Sequence, residues 1–251
     1  YPQPAPLAGK GDREAVEGAR AGLLYEAKVS TSSPFLHQKG DAVMGLLRKF
    51  FSNTGKPEGT MGKIVVAMMN RGHAGIAEWG FSHLDLQGNE QVLDCGCGGG
   101  ANIAVFLRMV DEGHVTGLDY SDVSVEKARE VNREAVAAGR CAIVQGNVLE
   151  LPFENERFEV VTAFETVYFW PDLTRCFTEI HRVLKAGGVF MITNETSGKT
   201  KSHEKWMKIV DGMSVYTGEQ LEAMLTGAGF ARVVIDEDVK HDRLNVRAYK
   251  A

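Results

Sequence analysis

The sequence predicts an α/β protein: a doubly wound, mostly parallel seven-stranded sheet with an antiparallel edge hairpin, preceded by an N-terminal helical cap. Three observations predict it. From Gln91 onward, short apolar runs alternate with stretches of helical periodicity, the pattern of a parallel sheet covered on both faces. A glycine-rich turn at residues 96–100 follows the first of these runs. The last two runs are separated only by residues 236–243, too few for a crossover helix, so they pair as a hairpin.

Taken in order, residues 1–40 form an N-terminal extension with prolines at positions 2, 4 and 6, and residues 41–90 form a helical cap or lid segment. Apolar spacing suggests short helices over 14–29, 42–51, 60–71 and 74–84, with Pro34 and Pro57 as breakers between them. The main domain spans 91–251. Gln91 to Cys95 reads as a buried strand, the glycine turn follows, and Ala101 to Val110 is helical. His114 to Asp119 is the second strand. Val125, Ala128, Val131, Ala135 and Ala138 share one face, which predicts a helix over 122–138 that stops at Gly139. Cys141 to Gln145 and Phe158 to Phe164 are the third and fourth strands. Pro171 opens a helix carrying Leu173, Phe177, Ile180 and Leu184, and Gly187 and Gly188 precede a fifth strand, Val189 to Thr193. Thr217 with Gln220 makes a capping box for a helix ending near Gly227. Phe230 to Ile235 and Leu244 to Tyr249 close the sheet.

Bulk composition narrows the function classes. The 251 residues carry 28 Lys and Arg against 33 Asp and Glu, a net charge of −5, which disfavours nonspecific nucleic-acid binding. No run reaches the roughly 18 apolar residues of a membrane span, so no stable membrane insertion is expected. The chain begins at Tyr1, as expected after processing or trimming, and lacks the charged-then-apolar pattern of a secretory leader. Four cysteines are too few for a disulfide framework, so a reducing, cytoplasmic setting is expected. Cys95 and Cys97 have no second pair of ligands nearby, and no metal site is expected. The sequence assigns no oligomeric state.

Glycine is 28 of 251 residues, above the usual proportion of about 7%. Thirteen glycines precede Gln91 and four form the loop, so the surplus is local. In that loop Asp94 ends a strand, and Gly96, Gly98 and Gly100 alternate into a helix. Glycine there permits positive φ and lets a ligand touch backbone. Asp119 ends the next strand 23 residues after Gly96, where a carboxylate can accept hydrogen bonds from ribose hydroxyls. These residues also satisfy the dinucleotide fingerprint as Gly96-x-Gly98-x-x-Ala101, so a nicotinamide or flavin enzyme stays open at this point.

Four motifs in order make a more specific match. They are Leu93 to Gly100, Val115 to Ser121, Gln145 to Phe153 with Phe158 to Phe164, and Ile180 to Gly188. With them, residues 91–193 resemble a class I S-adenosylmethionine-dependent methyltransferase, of the small-molecule type similar to the quinone-biosynthesis group. The resemblance implies the Rossmann-like methyltransferase fold and S-adenosylmethionine as cofactor. It places Gly96, Gly98 and Gly100 against the methionine and ribose parts, Asp94 at the amino-acid end and Asp119 on the ribose. Tyr120, Asn147 and Val148 would meet the adenine, and Phe164 and Glu165 the methyl-donor end. Asn147 stands where relatives commonly carry Asp, and Ala186 where Pro is frequent.

The expected reaction is in-line methyl transfer to a small-molecule acceptor, with the protein mainly aligning the partners. A general base is required only if the nucleophile must lose a proton. Candidate catalytic residues are His73 and Tyr168, and candidate substrate-binding residues are Arg71, for an anionic acceptor, and Trp170. Oxygen, nitrogen, sulfur and carbon nucleophiles all stay open. The alternatives are a nicotinamide-dependent oxidoreductase built on the same glycine loop, and a non-catalytic S-adenosylmethionine-binding module.

Overall fold

A computed structural model describes residues 74–200, Met207 and 212–251. Seven strands form one sheet: β1 (Gln91–Cys95), β2 (His114–Asp119), β3 (Cys141–Gln145), β4 (Phe158–Phe164), β5 (Leu184–Asn194), β6 (Arg232–Asp238) and β7 (Arg243–Tyr249). Their order is β3-β2-β1-β4-β5-β7-β6. The first five run parallel, and β7 inserts antiparallel between β5 and β6. The chain starts at β1 in mid-sheet, builds outward through β2 and β3, and returns to the other side with β4. The order therefore reverses between β1 and β4, the place where open sheets of this kind bind ligands beyond the strand ends.

The described helices are α1 (Ala74–Phe81), α2 (Ala101–Met109), α3 (Asp122–Val131), α4 (Arg133–Ala137), α5 (Leu173–Val183) and α6 (Gly218–Gly227), with a 3₁₀ turn at Val167–Phe169. Strand alternation supplies two cores, one per sheet face. Leu93, Val161, Phe190 and Ile192 pack with Phe177 and Ile180 of α5 and Leu221 and Leu225 of α6. Val92, Val160 and Met191 pack with Ala77 of α1, Ile103 and Phe106 of α2 and Val125 of α3. Val92 and Leu93 are both fully buried, as a strand covered on both faces requires.

Local capping accounts for several element starts. Asp172 accepts the Arg175 N–H at 3.1 Å and opens α5. Thr217 and Gln220 form the expected capping box of α6.

The structure also differs from the sequence expectations. The helix expected over 122–138 breaks at Asn132, whose Nδ2 donates to Gly100 O and Ala128 O, each at 3.0 Å. That long-range bond outweighs unbroken apolar periodicity. Strand β5 starts at Leu184, before the glycine pair, because Leu184 already pairs with Phe158. Gly187, at φ 77°, sits inside the strand's irregular opening and does not mark a break before it. The expected strand 230–235 is shifted to Arg232–Asp238. The last expected cap helix ends at Phe81, while those expected over 14–29, 42–51 and 60–71 lie outside the described residues.

Candidate functional site

The site is built where β1 turns into α2. Gly96, Gly98 and Gly100 adopt φ of 78°, 52° and 77°, in the left-handed region that side chains disfavour. The Gly96 and Cys97 N–H groups both donate to Leu118 O, at 2.7 and 3.0 Å, and tie the loop to β2. The glycines answer different demands. A Cβ at Gly96 would lie 2.4 Å from Thr166 Cγ2, and one at Gly100 2.6 Å from Asn132 Nδ2, so both positions are closed by neighbours. A Cβ at Gly98 would meet nothing within 4 Å, so this glycine faces open space. Cys95 and Cys97 flank Gly96 as buried thiols, and burial pushes both well above the ordinary range.

Two buried carboxylates flank the loop. Asp119, at the end of β2, accepts the Gly98 N–H on Oδ2 and the Ser121 N–H on Oδ1, both at 2.9 Å. It thereby joins the glycine loop to the start of α3. Burial raises its pKa, partly offset by the Ser121 and Gly98 hydrogen bonds. Asp94, in β1, is 1% exposed and accepts the Thr162 hydroxyl on Oδ1 at 2.8 Å. Its Oδ2 is buried with no partner. Burial pushes Asp94 up to about 7, against the lowering effect of Thr162, and the Asp119 charge adds to the rise. A buried acid with an unused oxygen beside a left-handed glycine loop suits a ligand bearing a cationic group and vicinal hydroxyls. The group implied by the sequence fits: its ammonium would meet Asp94 Oδ2, its ribose Asp119, and its chain the open side of Gly98.

A second acidic group sits at the ends of β4 and β5. Glu165 has φ 58°, a strained value for a residue with a side chain. The strain is held by flanking bonds: its N–H donates to Thr193 O at 2.9 Å, and the Thr166 hydroxyl donates to Cys95 O at 3.1 Å. Its Oε1 accepts from the Tyr168 hydroxyl at 3.4 Å and from the Glu195 N–H. The Tyr168 oxygen in turn accepts the Thr196 N–H at 3.3 Å. Burial raises Glu165 to about 8, and the Glu195 charge adds to it. Tyr168 is pushed well above the ordinary phenol value by burial and then by Glu165, so its hydroxyl stays protonated and donates.

The expected site residues separate into groups. Asp94, Gly96, Gly98, Gly100 and Asp119 converge on one loop. Tyr120, just beyond Asp119, is 43% exposed. Asn147 is exposed, with Oδ1 accepting the Leu149 N–H at 3.0 Å in an Asx turn. Other side chains depart from the expectation. Val148 is packed in the core that contains α5 and α6. The Phe164 ring is buried on the opposite face, 5.0 Å from Phe81 and 6.4 Å from Phe106 between centroids. Trp170, expected on the acceptor, stacks instead on Phe190 at 6.3 Å and 10°, inside the core. Phe169 is the half-exposed member of that aromatic run. Arg71 and His73 lie outside the described residues. Thr162 and Asn132, which hold Asp94 and the loop, were not expected. Their roles depend on chain pairings that no local pattern encodes.

Residues 93–192 match the family model described as a methyltransferase domain. The sterol 24-C-methyltransferase of Debaryomyces hansenii is 30% identical over 156 residues, 59% of this chain and 41% of that protein. The cycloartenol-C-24-methyltransferase of Arabidopsis thaliana is 32% identical over 169 residues, 63% of this chain and 49% of that protein. The chain thus spans less than half the length of these relatives. A SAM-dependent methyltransferase from Aquifex aeolicus shares the fold with a TM-score of 0.61 at 18% identity, covering 74% of this chain and 97% of that one. Residues 93–192 thus match a methyltransferase domain, and the strand order, the glycine loop and its two carboxylates are in keeping with that match.

Proposed function

We propose that the protein transfers a methyl group from S-adenosylmethionine to a largely apolar small-molecule acceptor. The observation that carries it is the pair Asp94 and Asp119 on either side of the left-handed loop, with Asp94 Oδ2 buried and unpartnered. When bound, the cofactor supplies an electrophilic methyl on a sulfonium. Asp94 holds the amino-acid end, Asp119 the ribose hydroxyls, and Tyr120 and Asn147 border the adenine. Glu165, supported by Tyr168, receives a proton where the acceptor must lose one. Tyr168 is then a positioning residue and not the base. The resemblance to quinone-biosynthesis enzymes and the sterol-acting relatives both favour an acceptor of low polarity. The net charge of −5 favours a small molecule over nucleic acid. Among the described residues no helix is long and apolar enough to cross a membrane. The four cysteines are unpaired and buried, which suits a reducing, cytoplasmic setting. The segment 41–90 is the proposed cap, and its Arg71 and His73 lie outside the described residues.

Calorimetry with S-adenosylmethionine and S-adenosylhomocysteine tests the reading, since binding of neither by the folded protein overturns it. Asp119→Ala is expected to weaken S-adenosylhomocysteine binding about 10- to 100-fold, the worth of a charge-assisted hydrogen bond of about 1.5–3 kcal/mol. Saturable binding of NADH would favour the oxidoreductase. Absence of product with any acceptor in a methyl-transfer screen would favour the non-catalytic module.

Asp94 gives a pH test. Its folded value, about 7, lies above the ordinary 3.8. The stability it contributes is therefore complete below about 4 and lost as pH rises through 7. The ligand-free protein is expected to melt several degrees lower at pH 8 than at pH 5 through this group, and Asp94→Asn to flatten that slope. Thermal unfolding followed by circular dichroism measures it. A slope unchanged in Asp94→Asn would show that Asp94 is not the source.

A further inference from the structure

Asp242 lies in the turn between β6 and β7 with φ 56°, in the left-handed region that Asp enters more readily than most residues with a side chain. Its carboxylate collects donors from one short segment just past β5. Oδ1 accepts the Ser197 hydroxyl at 2.6 Å and the Ser197 N–H at 3.2 Å. Oδ2 accepts the Thr200 hydroxyl at 2.5 Å and the Thr196 hydroxyl at 3.2 Å. The same segment points its other donors the opposite way: the Glu195 N–H to Glu165 and the Thr196 N–H to the Tyr168 oxygen. Strand pairing extends only to Asn194 with Leu244, so beyond that point the sheet does not fix this backbone. Among the described residues, the Asp242 side chain ties this segment down from the side opposite Glu165 and Tyr168.

We propose that Asp242 is a positioning residue for the acceptor side: its carboxylate fixes the backbone at 195–197 so that two N–H groups hold Glu165 and Tyr168 in place. The inference rests on the reading of Glu165 and Tyr168 as the acceptor-side pair. No part of the donor site is involved, since Asp94, Gly98 and Asp119 belong to β1, β2 and the loop between.

The test is carbon-detected NMR titration of the Glu165 carboxyl in the full chain, without donor or acceptor, assigned by the resonance missing in Glu165→Gln. Among the described residues, the titratable groups facing Glu165 are Tyr168 and Glu195, and neither is altered. The Glu195 N–H lowers the Glu165 pKa, so freeing it moves the midpoint up. Asp242→Asn is expected to raise the midpoint by about half a pH unit, a roughly threefold change in proton affinity. Simple removal of a negative charge would move it down, so the sign separates positioning from long-range electrostatics. Ser197→Ala keeps the charge, removes the 2.6 Å bond, and is expected to shift the midpoint the same way by less. S-adenosylhomocysteine affinity is expected to be unchanged in both. A midpoint unmoved or lowered in folded Asp242→Asn overturns the inference, as does an equal loss of S-adenosylhomocysteine affinity. If Asp242→Asn does not fold, an unmoved midpoint in Ser197→Ala overturns it. Failure of methyl transfer alone would overturn the functional reading while the upward shift still supports this link.

Discussion

Replacing Glu165 with glutamine is expected to lower methyl transfer about 10²- to 10⁴-fold, the usual contribution of a positioned proton acceptor, for any acceptor that must lose a proton. The amide keeps the size of the side chain and can still accept the Tyr168 hydroxyl and the Glu195 N–H. It cannot take up a proton. Glu165 rests at about 8 because burial and the Glu195 charge disfavour its ionised form. A base must be ionised to work, so the wild-type rate is expected to climb as pH rises through 8 and then level. The variant should lose that limb along with the rate. S-adenosylhomocysteine affinity, which we propose is set by the loop and by Asp94 and Asp119, should not follow. Rate against pH, with binding measured separately by calorimetry, checks both parts. A variant with full rate and an unchanged profile would remove Glu165 from the chemistry and leave His73 as the candidate base.

The glycine loop and its two flanking acids were legible in the sequence because that information is local. An acid at a strand end, alternating glycines and a second acid at the next strand end stand within 26 residues, from Asp94 to Asp119. Each is dictated by the turn that contains it. What supports the site is written across the chain. Asp94 meets Thr162 because the two are register partners of β1 and β4, and the sequence does not state which strands are neighbours. The apolar stripe from Val125 to Ala138 is compatible with one helix, yet the helix breaks at Asn132, whose amide is bonded to Gly100 O and Ala128 O. Asp242 reads as a polar turn residue until the segment after β5 is brought against it. Periodicity reports which face of an element is apolar. It does not report which buried polar atoms find each other.

The aromatic run Tyr168, Phe169 and Trp170 shows the same limit, and Trp170→Ala tests how it resolves. Three successive aromatic residues, the last just past a 3₁₀ turn, have no period from which an inward member can be chosen. In the fold, Trp170 is 9% exposed, stacks on Phe190 and meets Phe177 edge-on at 6.3 Å. Phe190 continues the cluster to Phe230. Truncating a large aromatic ring in such a core costs about 3–5 kcal/mol, because the cavity does not fully collapse. At about 2–4 °C per kcal/mol for a domain of this size, the melting temperature should fall by roughly 10 °C. Trp170→Phe keeps a ring against Phe190 and should recover much of the loss. S-adenosylhomocysteine affinity below the melting range should stay at the wild-type value, since Trp170 packs on β5 and α5, away from the glycine loop. Thermal unfolding and calorimetry on the two variants decide it. A stable Trp170→Ala protein whose KM for an acceptor rises would restore Trp170 to the pocket wall. A destabilised one with intact binding assigns it to the core that holds the end of β5 in place.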